Sequence, residues 1–199
     1  GITEGGLKRT GRDKRVLPQA VIYDPGLTAT LPARIAATSG INAIAHAVEA
    51  LYAQDANPII DMMAEESIRA LAASLPRLKD DAADRQAASG ALYGAWLAGA
   101  CLGAVGMAIH HKLCHTLGGT FNLPHAEMHT AEAASGLYDL AARLGAPMAL
   151  ADIGMPEDGL EQAAQLATEN PYYNPRPIER DAILDLLRKA WRGERPIPG

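Results

Sequence analysis

The chain has no CxxC pair and only two cysteines, Cys101 and Cys114, thirteen residues apart. That spacing and number exclude a disulfide scaffold and a four-cysteine zinc site, and two reduced thiols in a cytoplasmic protein are expected. A basic patch is also lacking, and the net charge of −5 over 199 residues argues against nucleic-acid partners. No long apolar run of membrane-spanning type occurs. The longest low-charge stretch, Gln86 to Ile109, is rich in Gly and Ala without continuous Leu, Ile or Val, so we read it as a buried helix pair and expect no membrane span. No signal peptide is expected, and the sequence shows no internal repeat or low-complexity tract. What remains is an ordinary globular composition, 48% hydrophobic and 21% charged, enough for one compact unit.

Gly1 to Arg15 is polar and Gly-rich, suiting a loop or hairpin better than the start of a domain, so the chain is expected to begin inside a longer protein. Val16 to Tyr23 is the one strand-like run, stopped by Asp24-Pro25-Gly26. From Leu31 to Tyr52 the residues are helix formers, with a break expected at Ser39-Gly40. Ile41, Ile44, Ala45, Val48 and Leu51 then recur at helical spacing, which puts Asn42, His46 and Glu49 on one face. Asn57-Pro58 reads as an N-cap followed by Pro at the first helical position, and Ile60, Ala64, Ile68, Leu71 and Leu75 form the stripe behind it, with Pro76 as the stop. The next helix, about 82–102, carries Gly90, Gly94, Gly99 and Gly103. Each costs up to about 1 kcal/mol of helix propensity relative to Ala, so a neighbouring backbone is expected close by. Further helices are predicted to open at Asn122-Leu123-Pro124, to end at Gly145, and to span Pro156 to Ala167 and Ile178 to Trp191. In the last of these Ile183, Leu187, Ala190 and Trp191 face inward, and NPYYNPRP, starting at Asn170, is the loop before it.

Chemistry concentrates in Gly106 to His125, GMAIHHKLCHTLGGTFNLPH, which holds four of the six histidines and one charged side chain, Lys112. Gly118-Gly119 is the expected stop of its helix. His111 and His115 stand i, i+4 on that helix and His125 opens the next, a spacing that suits a divalent metal because neutral imidazole binds zinc or iron. Any one of these histidines taken singly reads better as a hydrogen-bonded helix residue or a surface residue. Four together in an apolar segment are hard to explain by packing, since every buried imidazole needs partners for both nitrogens. His46 is either a satisfied core residue or a ligand, and Lys112 either a solvated side chain or a partner for a substrate carboxylate. Cys114 lies about 100° round the helix from His115, which argues against a Cys-His nucleophile pair.

The pattern H-x3-H-x-L-G-(x6)-H, here His111, His115, Leu117, Gly118 and His125, resembles the metal and catalytic segment of the iron-containing, or group III, alcohol dehydrogenases. DPGLTATLP and SGINAIAHAVEALYA resemble that superfamily's upstream segments, and GITEGGLKRTGRD, ALYGAWLAGACLG, HHKLCHTLGGTFNLPHAEMHT and NPYYNPRPIERDAI resemble one branch more closely. The resemblance implies an all-α, multi-helical C-terminal domain over 31–199 with one short N-terminal strand, and 1–30 as the remnant of an α/β nucleotide-binding domain whose Gly-rich loop is absent here. It jumps after Thr130 straight to AEAASGLYDLAARLGAP, omitting a helical stretch. It also implies that His46, His111 and His125 are metal ligands for iron or zinc. Asn42 stands where metal-dependent relatives have an aspartate, which removes the only anionic ligand.

The branch reduces a carbon–carbon double bond of an unsaturated oxo-dicarboxylate with NADH or NADPH in aromatic catabolism. The resemblance then implies His115, His125 and His111 as catalytic residues and Asn42, His46 and Lys112 as substrate-binding, with a small dicarboxylate as substrate. A cytoplasmic homodimer is the expected assembly. The alternatives are a metal-dependent alcohol dehydrogenase of the same superfamily and a non-catalytic helical metal-binding or dimerising module.

Overall fold

Asparagine and aspartate caps start the two longest helices that build the scaffold. In the computed structural model, which describes residues 2–4, 7–9, 15, 18–131, 135–169 and 171–197, Asn57 Oδ1 accepts from the N–H groups of Ile59 and Ile60 and opens α3, Pro58–Asp80. Asp84 does the same for Gln86 and Ala87 at the start of α4, Arg85–Ala104. Each such cap contributes about 1 kcal/mol by satisfying amides that the helix leaves unpaired. Around them lie α1 (Pro25–Thr28), α2 (Ala33–Leu51), α5 (Ile109–Phe121), α6 (His125–Ala131), α7 (Ser135–Leu144), α8 (Leu160–Glu169) and α9 (Arg180–Trp191). The fold is all-helical apart from an antiparallel hairpin, β1 (Ile2–Glu4) with β2 (Leu7–Arg9), Ile2 opposite Arg9.

The strand expected over Val16 to Tyr23 does not form. Pro18 to Tyr23 have no regular structure, and Val16 and Leu17 lie outside the described residues. A strand needs a partner ladder, the hairpin pairs only with itself, and Ile22 is left 93% exposed. Residues 132–134, next to the point where the resemblance jumps, and Asn170 of the NPYYNPRP loop also lie outside the described residues.

Three punctuation residues prove to be packing residues instead. α2 runs unbroken through Ser39-Gly40 because Leu75 of α3 crosses there: a Cβ on Gly40 would stand 2.5 Å from both Leu75 methyls. α3 continues past Pro76 to Asp80, its last turn held by Arg77 on Asp84 at 2.8 Å and by Lys79 donating to the Arg143 carbonyl of α7. α5 passes through Gly118-Gly119 and stops at Asn122 in the left-handed region, φ 52°. The helix pair expected over Gln86 to Ile109 is one helix, α4, followed by a connection pinned where the Gly106 N–H donates to Asp55 at 2.9 Å. By length and composition α4 passes for a membrane span. Here it lies along α2 and α3.

The glycines of α4 divide in two. At Gly94 an added Cβ would stand 2.7 Å from Leu71 Cγ and 3.1 Å from the Ser67 carbonyl oxygen, while Ser67 Oγ donates to the Gly94 carbonyl at 2.8 Å. At Gly99 nothing lies within 4 Å. Gly94→Ala is therefore expected to destabilise by about 1–3 kcal/mol through overpacking against fixed backbone. Gly99→Ala should gain up to about 1 kcal/mol of helix propensity. Urea unfolding of the two variants checks this, and equal effects would contradict it.

The core falls into three clusters. Ile41, Ile44, Leu71 and Leu75 join α2 and α3 under α7. Ala47, Ala50, Ile60 and Cys101 bind α4 to the other end of α2. Leu113, Leu117, Met128 and Leu187 hold α5 and α6 on α8 and α9. The predicted inner face of α9 is there, with Trp191 half-buried and its Nε1 donating to the Met155 carbonyl at 2.9 Å. Between these clusters α2, α5 and α6 meet.

Candidate active site

All six histidines gather where those three helices converge. His46 comes from the middle of α2, His110, His111 and His115 from α5, and His125 and His129 from α6. His46 stacks on His111 with centroids 4.4 Å apart, and His115 stacks on His125 at 5.6 Å and 17°. His129 sits in the middle, 4.7 Å from His110, 4.7 Å from His111, 4.8 Å from His125 and 6.2 Å from His46. Periodicity puts them there: residues four apart share a helix face, so His111 and His115, and likewise His125 and His129, point the same way.

The innermost pair is a histidine hydrogen-bonded to a carboxylate. Glu49 and His111 are both essentially buried, and the carboxylate takes both the His111 Nδ1 proton and, at 3.2 Å, the His111 backbone N–H. Burial alone would raise the Glu49 carboxyl, but the hydrogen bond and charge of His111 outweigh it and leave Glu49 ionised, below its ordinary value. Tyr52 is pushed up by burial and by the neighbouring carboxylate. Three further imidazoles, His46, His110 and His129, are kept neutral. Burial lowers His46 to about 3 and His110 to about 4, and burial with the surrounding histidines lowers His129 as well.

Two acceptor atoms in this pocket, Asn42 Oδ1 and His111 Nε2, are buried and have no hydrogen-bond partner among the described residues. With the His111 proton committed to Glu49 at Nδ1, Nε2 presents a lone pair. Leaving such atoms unmet costs about 1–3 kcal/mol each, whereas a cation would satisfy both. Asn42, His46, His111 and His125 would offer a divalent metal four neutral donors, with Glu49 as the outer carboxylate that orients one imidazole.

His115 is the exposed member, its Nδ1 3.5 Å from the Tyr172 hydroxyl. Lys112 is half-buried with its Nζ 5.8 Å from the Tyr172 ring centroid, a cation–π contact at the rim. Cys114 is buried among Leu113 and Leu117, on another side of α5 from His115. Sequence reasoning missed three participants. Glu49 was legible as sharing a face with Asn42 and His46, and His110 as part of the cluster, but neither received a role. His129, one turn after His125, was legible only as that. The apolar groove between α1, α2, α3 and α4, lined by Leu31, Gly40, Leu75, Leu78, Ala91 and neighbours, has no titratable side chain on its walls, so the chemistry belongs to the histidines.

The chain belongs to the Fe-containing alcohol dehydrogenase family, matching the model of its C-terminal part over residues 36–131 and 127–191. A maleylacetate reductase of Burkholderia cepacia is 55% identical over 98% of this chain and 63% of its own length, and one of Delftia acidovorans is 51% identical over 100% of this chain and 64% of its own. The crystal structure of maleylacetate reductase from Agrobacterium tumefaciens superposes with a TM-score of 0.93 at 50% identity, over 98% of this chain and 63% of that one. The chain thus spans under two thirds of the length of these relatives. The Delftia alignment runs over 225 positions against 199 residues here, so at least 26 positions of that relative have no counterpart. The two matched family segments meet at 127–131, where the resemblance jumps after Thr130.

Proposed function

We propose that this chain is the helical part of an NAD(P)H-dependent maleylacetate reductase, residues 31–199 forming the substrate side of the site and 1–30 the edge of a nucleotide-binding domain. The observation that carries this reading is the gathering of His46, His111, His115 and His125 into one pocket of a chain that is half identical to maleylacetate reductases along its whole length. Maleylacetate is a dianion whose double bond is conjugated to a ketone. Reduction adds hydride to the alkene carbon β to the ketone, creates an enolate, and ends when the carbon between them takes a proton to give 3-oxoadipate.

The nicotinamide supplies that hydride when bound. The chain's own residues handle the charge and the proton. His125, partly buried beside the neutral His129, donates to the enolate oxygen. His115, exposed and next to the Tyr172 hydroxyl, delivers the proton to carbon and recovers one from solvent. Lys112 at the rim and His46 within the pocket face the substrate carboxylates. A divalent cation, held by Asn42, His46, His111 and His125, would add Lewis-acid polarisation of the ketone oxygen.

The test is NADH or NADPH oxidation driven by maleylacetate, measured on the longest reading frame that contains this chain. His115→Ala and His125→Ala are each expected to lower turnover by about 10²-fold or more, the scale of a lost acid–base group. Near-parental rates in both would overturn the assignment.

A further inference from the structure

Besides the donors that the family's metal suggests, a second set lies next to it. One donor atom each from His110, Cys114 and His129 lies within 4.8 Å of the other two. His110 and Cys114 are i, i+4 on α5 and His129 comes from α6, so two helices fix the geometry, as they must for a metal site to exist before the metal arrives. His110 Nε2 and His129 Nδ1 already approach to 2.7 Å, closer than two ligands of one ion stand, so a small outward rotation of either ring opens the space. Cys114 and His129 have no exposure to solvent, and Cys114 is in no disulfide.

We propose that His110, Cys114 and His129 form a thiolate-containing cation site, selective for zinc(II) or another thiophilic divalent ion. Chemistry favours it over the outer set. Asn42, His46, His111 and His125 are all neutral donors, with the nearest anion, Glu49, already spent on His111. Cys114 supplies as thiolate the anionic ligand that Asn42 withholds, and sulfur with two imidazoles is a zinc-type donor set with a fourth position left open. His129 lies 4.7 Å from His111 and 4.8 Å from His125, centroid to centroid. The thiolate-containing set is therefore expected to take the first equivalent of metal.

Cobalt(II) separates the two sets, because only one contains sulfur. Titrating the chelator-treated full chain with cobalt(II) should load one equivalent and produce a thiolate-to-cobalt charge-transfer band in the near ultraviolet, which zinc(II) then bleaches. Cys101→Ser and His46→Ala should keep the band. Cys114→Ser should abolish it, and His129→Gln should weaken cobalt binding by about tenfold or more. Cobalt bound without the band in the parent chain, no cobalt bound at all, or a band that survives in Cys114→Ser would each overturn the proposal. None of these readings depends on folding of a single variant, nor on whether maleylacetate is the substrate.

Discussion

Lowering the pH from 7 to 5 should cost the metal-free chain about 4 kcal/mol of stability, a large part of what a domain of this size possesses. Two histidines carry that figure. His46 and His110 titrate near 6.5 in the unfolded chain but are lowered to about 3 and about 4 in the fold, chiefly by burial. A base whose pKa is depressed by folding is neutral in the native state and protonated in the unfolded one once the pH drops below 6.5. The unfolded state then binds more protons, and stability falls as the pH falls. Between pH 7 and 5 each contributes about 2 kcal/mol of loss, at 1.36 kcal/mol per pKa unit. His129, lowered for the same reason, adds in the same direction. Glu49 does not offset this, because a carboxyl lowered by folding stabilises at every pH above its unfolded value of 4.5 and weakens only below it. Urea unfolding in the presence of a chelator at pH 7, 6 and 5 makes the measurement. A midpoint that stays level across that range would show that the histidines are not buried neutral.

That prediction depends on tertiary burial, which marks the limit of what the amino-acid order could reveal. The capped start of α3 at Asn57-Pro58 and its stripe from Ile60 to Leu75 were legible because both are local: a side-chain oxygen three residues from the amide it caps, and a period of 3.6. The glycines of α2 and α5 misled for the opposite reason. Gly40 and Gly118 resemble stops by propensity, yet they make room for Leu75 and Met128 from other helices, and no local signal reports what passes nearby. His111, His115 and His125 announced themselves by spacing and His46 by resemblance. His129 was not legible as the centre of the pocket, because its burial follows from α6 lying across α2, a contact between residues some eighty apart. Glu49 was an acidic residue on an apolar face, the kind of local conflict that marks a functional position, but its partner only appears once α5 lands beside it.

Glu49 is also the residue whose replacement is expected to cost most. Glu49→Ala removes the acceptor of the His111 backbone N–H, at 3.2 Å, and the carboxylate on its Nδ1, in a place with almost no access to water. Breaking a buried pair from one side costs about 3–5 kcal/mol, since the remaining group keeps its desolvation penalty and loses its partner. Glu49→Gln separates stability from chemistry. The amide keeps the volume and still accepts one hydrogen bond, so the loss should be smaller, about 1–3 kcal/mol. Its NH2 facing Nδ1, however, turns that nitrogen into an acceptor and moves the imidazole proton to Nε2, the atom that otherwise presents a lone pair. In a Cys114→Ser background, where only the sulfur-free donors remain, Glu49→Gln should therefore weaken divalent-cation affinity by about 10–100-fold, the scale of a lost orienting partner. Cation affinity unchanged by Glu49→Gln, in a chain that still folds, would mean that His111 offers nothing to a metal and that its bond to Glu49 serves the core alone.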